Sequence, residues 1–154
     1  MPKQIKRKLP NYEVISLIGD KSASGAEAMF FRLSKYSRFG VKIYNNQEHA
    51  EQAYRSQKFA ASKGLAPKVG KRLVVIYREK KTSRYAETLY GYETQIARKV
   101  YYKSPVWRSQ SKELERRLIE IGMGRDFHPG NCGTIGHRLV CVDFGNISTG
   151  HNDI

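Results

Sequence analysis

The stretch from Phe39 to Tyr77 constrains the fold most. Phe39 to Tyr44 reads as a strand, Gln47 to Lys63 has helical spacing with Gly64 as its stop, and Leu73 to Tyr77 is a short apolar run suited to a buried strand. Ala50, Ala53, Tyr54, Phe59 and Ala60 mark the expected apolar face of that helix. Upstream, Tyr12 to Ile18 alternates like a strand and runs into a small-residue loop from Gly19 to Gly25; Met29 to Leu33 reads as the next strand. Downstream, Lys112 to Ile121 reads as a second helix with Leu114, Leu118 and Ile121 on one face, ending at Gly122. A loop rich in Gly, His and Pro follows, then a strand from Arg138 to Val142. Strands, a helix, a strand, helices, a loop and a strand, in that order, argue an α+β fold.

At 154 residues the chain suffices for one ordinary domain or two small lobes. No apolar run approaches the roughly 20 residues that span a bilayer, which excludes a membrane-spanning helix. The N-terminal MPKQIKRKLP is basic and lacks the apolar stretch of a secretory signal. Two cysteines, Cys132 and Cys141, are too few for a disulfide scaffold, so a reducing, cytoplasmic setting is expected.

Charge narrows the choice of partner. Lys and Arg number 28 against 14 Asp and Glu, a formal net charge of +14. Lys3, Lys6, Arg7 and Lys8 form a basic arm over residues 1–10, and Lys71 to Arg84 carries six basic residues against the single acid Glu79. A third group comprises Arg98, Lys99, Lys103, Arg108, Lys112, Arg116 and Arg117, interleaved with Tyr101, Tyr102 and Trp107. Such patches attract nucleic acid, an acidic protein or an anionic membrane surface. A solvated surface that keeps a small protein soluble accounts for part of the same charge.

Three segments carry chemistry. In Gly40-Val41-Lys42-Ile43-Tyr44, alternation sets Lys42 opposite Val41 and Ile43. A half-buried lysine needs an anion, whether a carboxylate on the next helix or a bound phosphate; an edge-strand lysine facing water is the bland alternative. In Arg125-Asp126-Phe127-His128-Pro129-Gly130-Asn131, Asp126 can accept a hydroxyl proton and Asn131 can offer an amide oxygen to a hard cation such as Mg²⁺. The bland alternative is a turn whose Asp and Asn bond their own backbone. In Val140-Cys141-Val142-Asp143-Phe144-Gly145, an apolar strand delivers Asp143 as a second metal ligand. His128, Cys132, His137 and Cys141 fall within fourteen positions, but their spacing matches no familiar zinc finger.

Lys42 in a strand, Asp126 and Asn131 in a D-x-x-x-x-N loop, and Asp143-Phe144-Gly145 together resemble the protein-kinase signature set in its usual order. The variant Asp-Phe-His-Pro-Gly-Asn is similar to atypical and small-molecule kinases of the protein-kinase-like superfamily. The likeness runs from about Ile15 to Ile147. It implies a bilobal fold: a basic arm over residues 1–10, an N-lobe over 11–79 with a five-stranded type of sheet plus one helix, and a truncated, mainly helical C-lobe over 80–154. It also implies ATP and Mg²⁺ as cofactors. Lys42 then holds the α- and β-phosphates and pairs with Glu51, or alternatively Glu48. Gly19, Ser22, Ser24 and Gly25 cover the phosphates, and the backbone at Tyr77, Arg78 and Glu79 meets the adenine. Asp126 orients the acceptor hydroxyl, and Asn131 and Asp143 hold the metal.

Departures from the pattern qualify these expectations. The Gly-rich loop keeps only Gly19 and Gly25, and Gly124 stands where many kinases carry the His of His-Arg-Asp. Nine residues follow Gly145, so no activation segment or peptide-receiving helices are expected, as in pared-down effector kinases of pathogenic bacteria and small phage kinases. The expected function is a minimal Ser/Thr protein kinase acting on a protein hydroxyl, with or without an activating partner. Alternatives are a pseudokinase serving as a binding module, a small-molecule kinase, and a basic nucleic-acid-binding protein.

Overall fold

The computed structural model describes residues 12–14, 23–24, 29–32, 38–44, 46–79, 86–124 and 126–144. The architecture is α+β, and the chain divides into two compact units, Met1–Glu51 with Gly70–Thr94 and Gln52–Val69 with Gln95–Ile154.

The first unit is built on a six-stranded sheet. Its strands are β1 (Tyr12–Val14), β2 (Ala23–Ser24), β3 (Met29–Arg32), β4 (Phe39–Tyr44), β5 (Val69–Glu79) and β6 (Ala86–Gln95), in the spatial order β1-β5-β6-β4-β3-β2. Strand β1 runs parallel to β5, with Glu13 opposite Val74. Strands β2, β3 and β4 form an antiparallel meander in which Phe30 lies opposite Lys42 and Met29 opposite both Ser24 and Ile43. Val41, Ile43, Val74, Val75, Leu89 and Tyr92 are buried to within about 1%.

Helix α1 (Gln47–Ser62) opens on Asn46, whose Oδ1 accepts from the His49 amide at 3.1 Å, an N-cap that satisfies one of the helix's orphan donors. The helix ends in a Schellman motif: Leu65 N–H bonds Ala60 O and Gly64 N–H bonds Ala61 O, with Gly64 at φ 77. Its buried stripe is Ala50, Ala53, Tyr54, Gln57 and Ala60. Phe59, expected on that stripe, is instead 46% exposed under the Lys63 ammonium, and fully buried Gln57 takes the apolar position. Gln57 is tolerated there because its Nε2 donates to Pro67 O at 3.0 Å.

The second unit packs part of α1 and helix α2 (Pro105–Glu120) with a three-stranded antiparallel sheet, β7 (Arg98–Lys99), β8 (Cys132–Ile135) and β9 (Arg138–Cys141), in the order β7-β8-β9. Its core joins Ala60, Leu65, Val100, Leu114, Leu118, Leu139 and Phe144. Gln110 ties α2 to the β8–β9 hairpin, donating to His137 O at 2.7 Å and accepting from Leu139 N at 2.9 Å.

Several expectations are corrected. Helix α2 begins seven positions before Lys112, because Pro105 occupies the first helical position, where its missing N–H costs nothing. Ala23–Ser24, expected in a loop, is a short strand. Strands β5 and β6, on either side of residues 79–80, are neighbours in one sheet, and the chain passes between the two units after Glu51, Val69 and Thr94. Among the described residues, no helix is long and apolar enough to cross a membrane.

Candidate active site

Lys42 sits on β4 between β3 and β6, so it lies inside the sheet and the edge-strand alternative falls away. Its flanking residues Val41 and Ile43 are fully buried, whereas Lys42 itself is half-buried on the opposite face, as alternation requires. The ammonium stands 5.9 Å from the centre of the Tyr92 ring, within cation–π range, and Tyr44 stacks on Tyr92 at 6.2 Å. Gly91, next to Tyr92, is where β6 approaches β4: a Cβ there would fall on the carbonyl oxygen of Lys42 and lie 3.2 Å from Ile43 Cα. Neither Gly91 nor Tyr92 figured among the expected site residues; the local signal was a glycine flanked by tyrosines within an otherwise polar segment.

Glu51 lies half-buried on the second turn of α1 and accepts from Gln47 Nε2 at 3.2 Å; the alternative, Glu48, is exposed. Together with Asn46, Gln47 and Tyr90 the two glutamates line an open depression of the first unit. Ser24 lies in β2, while Gly19, Ser22 and Gly25 fall outside the described residues. Tyr77, Arg78 and Glu79 lie at the end of β5, in the first unit's sheet.

The second unit gathers Asp126, Asn131 and the approach to Asp143. Asp126 has φ 51, the left-handed region that a non-glycine residue rarely adopts and that concentrates at functional positions. Asn131 holds it from across the turn, donating from Nδ2 to the Asp126 carbonyl at 2.8 Å and to its Oδ2 at 3.3 Å. Between them a 3₁₀ turn, Pro129–Asn131, is capped by His128, whose Nδ1 accepts from Gly130 N at 3.0 Å. With Nδ1 accepting, the proton of neutral imidazole resides on Nε2, 3.8 Å from Asp126 Oδ2. Phe127 anchors the loop by stacking on Trp107 at 5.1 Å.

The carbonyl of Asn131 accepts from Val142 N at 2.8 Å, so the residue before Asp143 is hydrogen-bonded directly to Asn131. The Asn131 amide nitrogen is committed to Asp126, whereas its Oδ1 accepts no hydrogen bond among the described residues. A carboxamide oxygen and a carboxylate, the donor types of Asn131 and Asp143, are hard donors of the kind Mg²⁺ takes. Among the described residues, no group of three or more His, Cys, Asp or Glu is placed to hold a metal ion.

Gly124 has a packing explanation. A Cβ there would meet Ile119 Cγ1 and come within 3.1 Å of its backbone nitrogen, so a larger residue such as histidine requires the exposed Ile119 side chain to shift. Cys132 and Cys141 are opposed on β8 and β9 and buried in the core. Burial, reinforced by Cys141, pushes the Cys132 thiol well up. Because the folded value is raised, stability is intact below the unfolded thiol's pKa of about 8.5 and falls as pH rises above it. Native protein at pH 8 is therefore expected to react slowly with a thiol reagent such as DTNB, and denatured protein promptly; equal rates would contradict the burial.

No family model and no curated protein matches the chain.

Proposed function

We propose that the chain is an ATP- and Mg²⁺-dependent phosphotransferase of the protein-kinase-like superfamily, a minimal Ser/Thr protein kinase transferring the γ-phosphoryl group to a protein hydroxyl. The observation that carries this reading is the Asp126–Asn131 loop. Asp126, at positive φ, is clamped by a carboxamide whose oxygen accepts no hydrogen bond among the described residues and suits a cation, and the same carboxamide residue is hydrogen-bonded to the neighbour of Asp143.

In this reading Asp126 accepts the proton of the attacking hydroxyl, and Asn131 with Asp143 would hold the magnesium, which neutralises phosphate charge when bound. Lys42 binds the α- and β-phosphates, and half-buried Glu51 suits the role of its carboxylate partner better than exposed Glu48. Lys42 lying within the sheet, on the strand directly before the acid-bearing helix, supports the likeness. Catalysis then rests on positioning and charge stabilisation.

The test is transfer of radiolabel from [γ-³²P]ATP to the protein itself and to generic protein substrates. Wild type is expected to incorporate label only with Mg²⁺. Asp126→Asn is expected to lower the rate by roughly 10²-fold or more, and Asp143→Ala to abolish the magnesium dependence along with activity. Nucleotide-induced thermal stabilisation without turnover would indicate the pseudokinase alternative. Equal incorporation by wild type and Asp143→Ala would overturn the proposal.

A further inference from the structure

We propose that the second unit carries a binding surface for single-stranded nucleic acid, built on the Tyr101–Ser104 turn and the first two turns of α2. This surface is independent of phosphotransfer and uses none of the residues assigned to it.

The argument starts with charge. Of the seven cations in the third basic group, two are satisfied internally: Arg116 is forked between Glu113 at 2.6 Å and Glu120 at 2.8 Å, and Arg117 donates to Lys63 O at 3.1 Å. Arg98, Lys99, Lys103, Arg108 and Lys112 are exposed and make no ion pair among the described residues. No acidic residue occurs between positions 96 and 112. Arg108 and Lys112 stand one helical turn apart on α2, in line with Ser104 at its N-cap.

Two aromatic rings stand among these cations. Tyr101 and Tyr102 are 64% and 68% exposed, which is unusual for side chains of this size. The turn beneath them is closed twice, Tyr101 N donating to Ser104 Oγ at 3.0 Å and Ser104 N donating to Tyr101 O at 2.9 Å. Tyr102 is braced edge-on by Trp107 at 5.8 Å, and Trp107 is itself stacked on Phe127. Exposed rings held by a closed turn and a second aromatic can stack with bases at little ordering cost.

The helix end contributes a further attraction for phosphate. Ser104 is the N-cap residue of α2, yet its hydroxyl accepts from Tyr101 and makes no cap to the helix, and the first turn holds no acid. The first-turn amides thus leave the positive end of the helix dipole open to an external anion. Stacking rings, unpaired cations and an uncapped helix start fit a polyanion that carries aromatic bases. An acidic protein fits less well, since its carboxylates meet the cations but bring no regularly spaced aromatic faces for Tyr101 and Tyr102 to stack on. Duplex bases are already stacked on one another, which selects the single strand.

Fluorescence anisotropy with a labelled oligouridylate decides the matter, the full chain being titrated between roughly 50 and 200 mM salt. Tyr101→Ala/Tyr102→Ala is expected to weaken binding roughly tenfold or more. Arg108→Gln/Lys112→Gln is expected to make the slope of log K against log salt shallower by about 1.4. Circular dichroism should show all variants folded, since each replaced side chain is exposed. Unchanged binding by both double variants would place any affinity elsewhere, including the N-terminal arm, and overturn the proposal. Equal affinity for duplex, or displacement of the oligonucleotide by polyglutamate at equal charge concentration, would overturn it as well.

Discussion

Gly91→Ala is expected to disrupt the first unit and release Lys42 from its place. The added methyl falls on the Lys42 carbonyl oxygen and crowds Ile43 Cα, so no side-chain rotation relieves it and strands β4 and β6 must separate. Overpacking a core by one methyl costs about 1–3 kcal/mol, and a backbone obstacle puts this substitution at or above the top of that range. Gly64→Ala provides the contrast. No atom lies within 4 Å of a Cβ at position 64, so the penalty there is only that of a left-handed φ, about 1–2 kcal/mol. Urea denaturation of the two variants should rank Gly91→Ala as the more damaging, with loss of ATP-induced stabilisation if Lys42 binds phosphate. A Gly91→Ala protein as stable as wild type would refute the close approach of the strands.

Phe144→Ala is expected to cost about 3–5 kcal/mol, because the ring is fully buried in the core with Leu114, Leu118 and Cys141 and its removal leaves a cavity. For a chain of this size that corresponds to a fall in Tm of roughly 6–20 °C. Phe144→Leu fills part of the space and should lose less. Phe144 also anchors its neighbour Asp143, so under the proposed function magnesium-dependent transfer should fall further in Phe144→Ala than its folded fraction explains. A Tm within a degree or so of wild type would show that the ring is not packed as described.

Legibility from sequence tracked local regularity. Helix α1 and strands β3, β4 and β9 were readable because apolar spacing and stop signals agree there, as at Gly64 and Gly122. Strand β6 escaped notice: AETLYGYETQ is half polar, and its glycine reads as a breaker until the proximity of Lys42 supplies the reason for it. The start of α2 was hidden by a proline that is unfavourable inside a helix but welcome at its first position. Phe59 lies off the apolar stripe expected of it, while Gln57 is buried there because its amide is satisfied by Pro67 O. Around the candidate site, Asn131 bonds Asp126 five residues away in a single turn, a contact that short spacing makes local. How the chain divides into its two units is not written locally, because it depends on which strands share a sheet, as β5 and β6 do.

The chain passes from one compact unit to the other after Glu51, returns after Val69 and crosses again after Thr94. Neither unit is therefore a module that a single cut can excise, and a fragment ending at any one crossing carries an incomplete core. Deletion mapping by progressive truncation will consequently report cooperative collapse in place of separable activities, so point substitutions are the informative way to dissect this protein.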